Sequence, residues 1–302
     1  MTASGVPDYL RHVVTEECTL WRQTSMRIGG PARWLARPSS ESDLAAILGW
    51  IQTQQLPYMI LGGGTNVLFP DDGFPGVVAV TSQLKGIGID SIEATAACGE
   101  SLSSFAQRLN RVGLTGMEWA CGIPGTIGGA VAMSAGAFGG DIASSLSRVR
   151  LLTADGAKEL SVEQLELGYR TSALVAGKLA GVVVEATFML QQADPQHCLN
   201  REREVLETRH RTQPMGASSG CIFKNPTTGP TAGELLDRAG CKGMRVGHAV
   251  VSSAHANFII NESENNAEDV LGLIQRMKQR VIEVHGIVLE LEVVLPGSEL
   301  PL

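Results

Sequence analysis

The sequence lacks the features that identify several specialised classes of protein. Its formal net charge is −7, so it has no excess of basic residues of the kind that binds nucleic-acid phosphates. No apolar run reaches about 18 residues, the length that spans a bilayer, and residues 1–11 have no apolar stretch typical of a secretion signal. We therefore expect a cytoplasmic protein whose partners include neither nucleic acid nor a membrane.

The cysteines also lack a pattern. Six are scattered along the chain with no Cys-x-x-Cys pair, so no metal site is predicted, and we expect the thiols to stay reduced. The sequence has no Gly-x-x-x-x-Gly-Lys-Ser/Thr loop, and the Gly62-Gly63-Gly64 run lacks Gly-x-Gly-x-x-Gly spacing. The two most common nucleotide-binding signatures are therefore absent.

Two glycine-rich segments are present instead, LGGGTNVL at 61–68 and GIPGTIGGA at 122–130. Glycine has no Cβ and tolerates positive φ, so such loops let the main chain approach a ligand. Main-chain N–H groups presented in this way bind phosphates. A tight turn is an equal alternative for either loop alone, but the two together predict one long ligand gripped at its phosphates.

Helical and strand patterns mixed along the chain predict an α+β fold. Ser40 and Asp43 form a capping-box pattern before an apolar stripe, which predicts a helix over 40–55, and residues 287–295 are predicted to form a final strand. A polar stretch at 192–195 predicts a domain boundary. We expect three parts: residues 1–57 begin the cofactor-binding region and pack with the C-terminal strand, residues 58–192 form its second lobe, and residues 193–302 form a smaller α/β substrate-binding domain.

Seven segments resemble, in order, those of the UDP-N-acetylenolpyruvoylglucosamine reductase family. They are TSMRIGGPARWLARPS (24–39), ILGGGTNVLFP (60–70), GIPGTIGGAVAMSAGAFG (122–139), GYRTSA (168–173), QPMGASSGCIFKNPT (213–227), AGCKGMRVGHAVVSSAHANFIINE (239–262) and HGIVLELEVV (285–294). The resemblance therefore covers nearly the whole chain. Few residues separate Arg170 from the strand predicted at 182–190. The resemblance is therefore to the compact members of the family, which lack an extra substrate-capping loop.

The resemblance implies an FAD-binding fold of the vanillyl-alcohol-oxidase (PCMH) type. The activity it implies is FAD-dependent, NADPH-driven reduction of UDP-N-acetylglucosamine enolpyruvate to UDP-N-acetylmuramate, a step in peptidoglycan precursor synthesis. The expected partners are that UDP-sugar and NADPH, and the chain is expected to be a monomer. We expect non-covalent FAD, because no histidine lies in either loop and Cys121 is more typical of a small buried side chain than of a thioether.

Family motifs place FAD binding in both glycine-rich loops. The residues are Gly62, Gly63, Gly64, Thr65, Asn66, Gly122, Pro124, Gly125, Thr126, Gly128 and Gly129.

Three residues match catalytic positions of the family. Cys221, before Phe-Lys-Asn-Pro, stands where relatives have a proton-donating serine, and a thiol with a pKa near 8.5 is a much stronger acid than a hydroxyl. Arg170 would fork onto the substrate carboxylate, and Glu292 would orient or polarise it. For Cys221 the alternative is a small core cysteine, and for Arg170 it is a surface ion pair. For Glu292 the alternative is an exposed strand face that it shares with Glu290.

Further residues match substrate contacts of the family, namely Tyr169, Arg209, Lys224, Asn225 and His255. For His255 a structural hydrogen bond is an equal alternative. Ser134 stands where the family run Met-Asn-Ala-Gly-Ala has asparagine, so it has one fewer donor and a shorter reach. Two other functions remain open, an FAD-dependent sugar or alcohol oxidase of the same fold and a nucleotide-binding module without catalysis.

Overall fold

The computed structural model describes residues 5–263 and 266–296. The helices in these residues are α1 (Glu41–Gln54), α2 (Leu102–Arg111), α3 (Ile127–Ala132), α4 (Pro195–Thr212), α5 (Ala232–Arg238) and α6 (Ala267–His285). The strands are β1 (Val14–Thr19), β2 (Pro31–Ala36), β3 (Tyr58–Leu61), β4 (Phe74–Val80), β5 (Ile87–Asp90), β6 (Glu93–Ala97), β7 (Leu114–Thr115), β8 (Gly136–Ala137), β9 (Gly140–Asp141), β10 (Leu146–Thr153), β11 (Gly156–Ser161), β12 (Val182–Met189), β13 (Gln191–Gln192), β14 (Arg245–Val246), β15 (Ala249–Val251) and β16 (Ile259–Asn261). The predicted α+β class is confirmed.

The described residues form two compact units. The first unit consists of residues 5–16, 34–63 and 76–209, and the second consists of residues 17–33, 64–75, 210–263 and 266–296. This division differs from the predicted ranges 1–57, 58–192 and 193–302, because two short N-terminal segments belong with the C-terminal part of the chain. The domain assignment itself stays a prediction.

Local sequence signals account for the ends of the first helix. Ser40 Oγ accepts a hydrogen bond from the Asp43 N–H at 3.1 Å, and the Asp43 carboxylate accepts one from the Ser40 N–H at 3.1 Å. This capping box satisfies main-chain donors at the helix N-terminus. Leu44, Ile47 and Ile51 then form the buried side of α1, so the helix predicted over 40–55 is confirmed.

The first unit is built around a five-stranded sheet with the order β11-β10-β12-β6-β5, in which every neighbouring pair is antiparallel. Helices α2 and α3 contribute buried side chains to the same core. Phe105 of α2 and Phe188 of β12 are fully buried, with ring centroids 5.4 Å apart. A second sheet has the order β1-β2-β4-β3, with β3 and β4 parallel. The first glycine-rich loop leaves the end of β3.

The second unit contains the antiparallel sheet β14-β15-β16 together with α5 and α6. Its core includes Phe223, Leu236, Ile274 and Met277. Helix α6 ends at His285, and the next residue, Gly286, has a φ of +68°, the left-handed conformation that glycine adopts readily at a helix C-terminus. None of the helices in the described part of the chain is both long and apolar enough to span a bilayer.

The strand predicted over 287–295 is wrong. The segment forms only two isolated bridges, an antiparallel one between Leu291 and Phe223 and a parallel one between Val294 and Val67. The segment changes its partner between these two residues, so neither pairing extends into a ladder. The predicted alternation holds for some positions, because Leu289 and Val293 are buried while Glu290 is exposed.

A carboxylate outside α6 holds the start of that helix. Both oxygens of Asp71 lie within 3.0 Å of the Ala267 N–H, the first of the helix, where a negative charge also favours the helix dipole. We expect Asp71→Ala to destabilise the protein by about 1 kcal/mol. Urea unfolding would measure the loss, with Asp72→Ala, at the exposed neighbouring carboxylate, as the control. Equal unfolding midpoints for the two variants would contradict this assignment.

Candidate functional site

The first glycine-rich loop meets the second within the first unit. A Cβ at Gly62 would lie 2.2 Å from Thr126 Oγ1, closer than real side chains approach. Gly63, the next residue, is exposed. The two loops therefore touch at a position where any side chain would have to displace that of Thr126.

The second loop presents main chain with few side chains. Gly122 and Gly125 have φ values of +77° and +126°, which residues with a Cβ rarely adopt. Gly122 and Pro124 are exposed. An exposed, glycine-rich main chain is the property that a phosphate-binding loop requires.

The end of the second loop is fixed by hydrogen bonds. The Gly128 N–H donates to the Cys98 carbonyl at 2.9 Å, and a Cβ at Gly128 would lie 2.9 Å from Cys98 Cβ. Thr126 Oγ1 accepts from the Gly129 N–H at 3.4 Å and caps α3. Glycine at 128 thus allows the loop to pack directly on the main chain beside it.

The other predicted cofactor residues of the first loop lie in the second unit. Gly64 has a φ of +61°, and a Cβ there would lie 1.8 Å from the Gln23 carbonyl oxygen. Thr65 is half-buried. Asn66 Nδ2 donates to the main-chain oxygen of Glu292 at 3.0 Å. The side chain of Asn66 therefore binds protein main chain, a structural role that the sequence did not predict.

The cysteines form neither a cross-link nor a metal cluster. No disulfide joins any of the six, and residues 5–263 and 266–296 contain no group of three or more acidic, histidine or cysteine side chains that could hold a metal ion. Burial raises the pKa of Cys121 to about 12, with the nearby Glu202 carboxylate adding to the effect. A thiol that stays protonated is a poor nucleophile for a covalent flavin link.

Arg170 lies in a tight turn of the first unit and grips the tail of the second loop. Its guanidinium donates to the carbonyl oxygens of Ser134 at 3.3 Å and Gly136 at 2.6 Å. Arg170 and Ser134 have φ values of +55° and +46°, so both are in the left-handed region and carry backbone strain. The predicted contact of Arg170 with a substrate carboxylate stays a prediction.

Two predicted substrate residues also belong to the first unit. The guanidinium carbon of Arg170 lies 5.2 Å from the ring centroid of the exposed Tyr169. Arg209 lies over the Phe138 ring at 5.6 Å, and a Cβ at Gly122 would be 3.0 Å from Arg209 Cδ. Arg209 therefore borders the second loop.

Cys221 and Glu292 lie on neighbouring segments of the second unit. The Glu292 N–H donates to the Ile222 carbonyl at 2.8 Å, and the Lys224 N–H donates to the Glu290 carbonyl at 2.8 Å. Both Cys221 and Glu292 are half-buried. The structure thus brings together two of the three predicted catalytic residues by main-chain pairing.

Lys224 and Asn225 continue the same segment. Lys224 Nζ lies 3.9 Å from a carboxylate oxygen of the exposed Glu290, a loose ion pair. Asn225 Oδ1 accepts from the Ala232 N–H at 3.0 Å, at the start of α5. Asn225 therefore helps to hold that helix, a role outside the predicted substrate contact.

His255 is partly enclosed and has a structural contact. Its Nδ1 accepts from the Asn257 N–H at 3.2 Å, and its ring packs edge-on against Phe258 at 4.9 Å. Burial of the imidazole lowers the pKa of His255 below its usual value, and the Lys242 ammonium lowers it further. The structural alternative for His255 is therefore realised, and its substrate contact stays a prediction.

Sequence reasoning did not single out Asn257, a buried polar residue whose side chain bonds to the segment that carries Cys221. Asn257 bonds to both main-chain groups of Phe223, with Oδ1 accepting from the N–H at 2.9 Å and Nδ2 donating to the carbonyl at 2.8 Å. Ser219 is buried, and its hydroxyl has no hydrogen-bond partner among the described residues. No local pattern marks such tertiary contacts; a polar residue between apolar neighbours was the only available signal.

The fold and its loops define a class of flavoprotein. Residues 32–161, which include both glycine-rich loops, match the family model described as FAD binding domain. Residues 212–296, which include Cys221 and Glu292, match the C-terminal domain model of UDP-N-acetylenolpyruvoylglucosamine reductase. The predicted FAD-binding fold is confirmed. The chain belongs to the UDP-N-acetylenolpyruvoylglucosamine reductase family.

Relatives agree over almost the full length. A UDP-N-acetylenolpyruvoylglucosamine reductase from Synechococcus sp. (strain WH7803) is 38% identical over 96% of this chain and 95% of its own. A reductase of the same name from Chloroflexus aggregans is 40% identical over 90% of this chain and 94% of its own. The crystal structure of the reductase from Thermus caldophilus superposes with a TM-score of 0.79 at 34% identity, covering 92% of this chain and 97% of that one.

The partly buried His255 gives a pH-dependent contribution to stability. Because its pKa in the folded state lies below the unfolded value, the unfolded chain binds more protons on acidification. Stability is therefore lost as the pH falls from about 6.5 towards the lowered folded pKa. We expect His255→Asn, whose Oδ1 replaces Nδ1 as the acceptor for the Asn257 N–H, to flatten the fall in the free energy of unfolding between pH 7 and 5. Parallel slopes for the two proteins in urea unfolding would contradict this.

Proposed function

We propose that this protein is an FAD-dependent, NADPH-driven reductase that converts UDP-N-acetylglucosamine enolpyruvate to UDP-N-acetylmuramate for peptidoglycan synthesis. The observation that carries the proposal is the match to reductases of this family over more than nine-tenths of both chains. The main-chain pairing of the Cys221 and Glu292 segments supports the proposal, because the proposed proton donor and the proposed carboxylate belong to segments that hydrogen-bond to each other.

The two glycine-rich loops have the exposed main chain that the diphosphate of FAD needs. Gly62 touches Thr126, and Gly63 and Gly122 expose main chain beside that contact. Side chains at these positions would fill the space that a phosphate needs. We assign Gly62–Asn66 and the 122–129 loop to FAD, with Gly128 and Gly129 supporting the second loop. The raised pKa of Cys121 supports a dissociable cofactor.

The reaction adds a hydride and a proton across the carbon–carbon double bond of the enolpyruvyl group. FAD held by the two glycine-rich loops would, once reduced by NADPH, be the source of the hydride that the methylene carbon accepts. We assign the proton to Cys221, whose thiol gives it to the adjacent carbon and is re-protonated from solvent. A thiol is acidic enough to act as a general acid near neutral pH. The hydride and the proton together saturate the bond, and the substrate is reduced by two electrons.

We assign the binding and orientation of the substrate carboxylate to two residues, Arg170 and Glu292. Arg170 is the proposed cation, because a guanidinium can bond a carboxylate in two places and favours its enolised form. Hydrogen bonds from the guanidinium to the carbonyls of Ser134 and Gly136 hold Arg170 in place before the substrate arrives. Glu292 is assigned to orient the carboxylate, and its main chain is held on both sides by Ile222 and Asn66.

The remaining polar residues are proposed contacts to the UDP-sugar. Lys224 forms only a loose pair with Glu290, so its ammonium can turn to a diphosphate. His255 uses Nδ1 for the Asn257 N–H, which leaves Nε2 for a substrate oxygen. Tyr169, Arg209 and Asn225 complete the set.

We further propose that the enzyme acts as a cytoplasmic monomer without nucleic-acid or membrane partners. Its substrate and NADPH are both metabolites of the cytoplasm, and the net charge of −7 opposes binding to polyanions. Gel filtration with light scattering would test the monomer directly.

An anaerobic two-step titration tests the proposed activity. The FAD-loaded protein is first reduced with NADPH, and the enolpyruvyl UDP-sugar is then added. We expect the absorption of oxidised flavin to return, with one UDP-N-acetylmuramate formed per flavin. A flavin that stays reduced would overturn the proposal, and a flavin reduced directly by a sugar or alcohol would favour the oxidase of the same fold.

Substitution of Cys221 separates the two halves of the reaction. Cys221→Ser keeps an acidic hydrogen at this position and should retain substantial turnover. Cys221→Ala should keep reduction by NADPH but slow reoxidation by the substrate by a factor of about 10² to 10⁴, the usual contribution of a general acid. Stopped-flow absorbance measures both steps.

Ser219→Ala is the matched control for Cys221, because it removes a buried hydroxyl that has no hydrogen-bond partner among residues 5–263 and 266–296, and it should leave both steps unchanged. Full activity of Cys221→Ala would show that Cys221 is not the donor. Loss of reoxidation in Ser219→Ala would transfer that role to Ser219.

Substitution of Gly62 tests the cofactor loops. A Cβ at Gly62 must push the Thr126 side chain away, so Gly62→Ala should weaken FAD binding at least about tenfold, or about 1.4 kcal/mol. Flavin fluorescence on titration of the apoprotein measures the affinity, and Gly49→Ala, at a helical position with open space around it, is the control. Equal affinities would remove Gly62 from the FAD site.

A further inference from the structure

The short segment that carries Cys221 has main-chain partners on two sides. On one side the Phe223 bridge to Leu291 is flanked by the bonds that Ile222 and Lys224 make to residues 290–292. In an antiparallel pair of this kind, the N–H and carbonyl of the bridging residue point away from that partner. The main-chain groups of Phe223 therefore face the opposite side.

On that opposite side the partner is the Asn257 side chain. Its Oδ1 accepts from the Phe223 N–H at 2.9 Å, and its Nδ2 donates to the Phe223 carbonyl at 2.8 Å. A carboxamide has one acceptor and one donor side by side, so it reproduces the hydrogen bonding of a neighbouring strand. The main-chain carbonyl of Asn257 also accepts a hydrogen bond from the Ile222 N–H at 2.9 Å.

These contacts are buried and reach the residue next to Cys221. Asn257 is 1% exposed and Phe223 is 0% exposed. If the amide were lost, the N–H and carbonyl of Phe223 would be left unsatisfied away from water, at a cost that would drive the segment to move. Cys221 itself bridges Phe258, the residue after Asn257. The main chain from Cys221 to Phe223 is thus held by 257–258.

We propose that Asn257 is a positioning residue for Cys221. Its side-chain amide acts as a surrogate strand that fixes the main chain on which the proton donor is carried, and it touches neither substrate nor flavin. The proposal rests on the proposed function, in which Cys221 protonates the enolpyruvyl carbon. A small displacement of a reacting group costs large factors in rate, so loss of this amide should slow proton transfer and leave reduction of the flavin by NADPH unaffected.

Two variants and one control test the proposal in the FAD-loaded full chain. Asn257→Asp keeps the size and the acceptor for the Phe223 N–H but, when ionised, has no donor for the Phe223 carbonyl. Asn257→Ala removes both bonds and leaves room for water, which keeps the test open if the buried carboxylate prevents folding. Asn261→Asp is the control, because Asn261 is also buried in this unit and its Nδ2 donates to the Met26 carbonyl at 2.9 Å.

Anaerobic stopped-flow measures reduction by NADPH and reoxidation by the enolpyruvyl UDP-sugar separately, in H₂O and D₂O. For at least one folded Asn257 variant we expect reoxidation to slow by about 10- to 100-fold, with a larger solvent isotope effect than the unaltered protein has. Reduction by NADPH should stay within about twofold. Asn261→Asp should keep both rates and the isotope effect, even if its thermal stability falls as much as that of the Asn257 variants.

The outcomes separate this proposal from the proposed function. If the Asn257 variants lose thermal stability but reoxidise like Asn261→Asp, Asn257 has only a structural role and the proposal is overturned. Equal slowing of both half-reactions would also overturn it. If the unaltered protein is not reoxidised by the substrate, the proposed function fails, and the positioning role falls with it.

Discussion

The pairing of residues 290–294 with two other segments is the constraint on which the second unit depends. The Glu292 N–H bonds to Ile222, while the main chain of Val294 bonds to Asn66 and Leu68. Asn66 adds a side-chain bond to the Glu292 carbonyl. One short stretch near the C-terminal end of the described chain therefore fixes the positions of the proposed donor segment and of the first loop's continuation.

A comparable constraint operates in the first unit at Arg170. This side chain is held in a turn with a left-handed main chain and bonds two carbonyls of the second loop's tail, one of them from the left-handed Ser134. Strain of this kind persists only where surrounding contacts impose it. In the proposed reaction the strain has a purpose, since a cation that is fixed in advance would need little reorganisation to bind the substrate carboxylate.

Sequence reasoning succeeded where the signal is local. The capping box of Ser40 and Asp43 and the two glycine-rich loops were recognised from neighbouring residues. It failed for residues 287–295, because a segment that changes partners has the alternating pattern of a strand without its ladder. It also missed Asn257, whose partner Phe223 is distant in the chain. The placement of Glu292 beside the Cys221 segment follows from pairing, which no spacing in the sequence specifies.

Amide hydrogen exchange of the FAD-loaded protein tests the central claim, that main-chain pairing fixes Glu292 beside the segment of Cys221. The N–H groups of Lys224, Glu292 and Val294 donate the bonds concerned. The account predicts that these amides exchange slowly, together with those of the β14-β15-β16 sheet. Exchange of residues 290–294 at the rate of an unstructured peptide would contradict it.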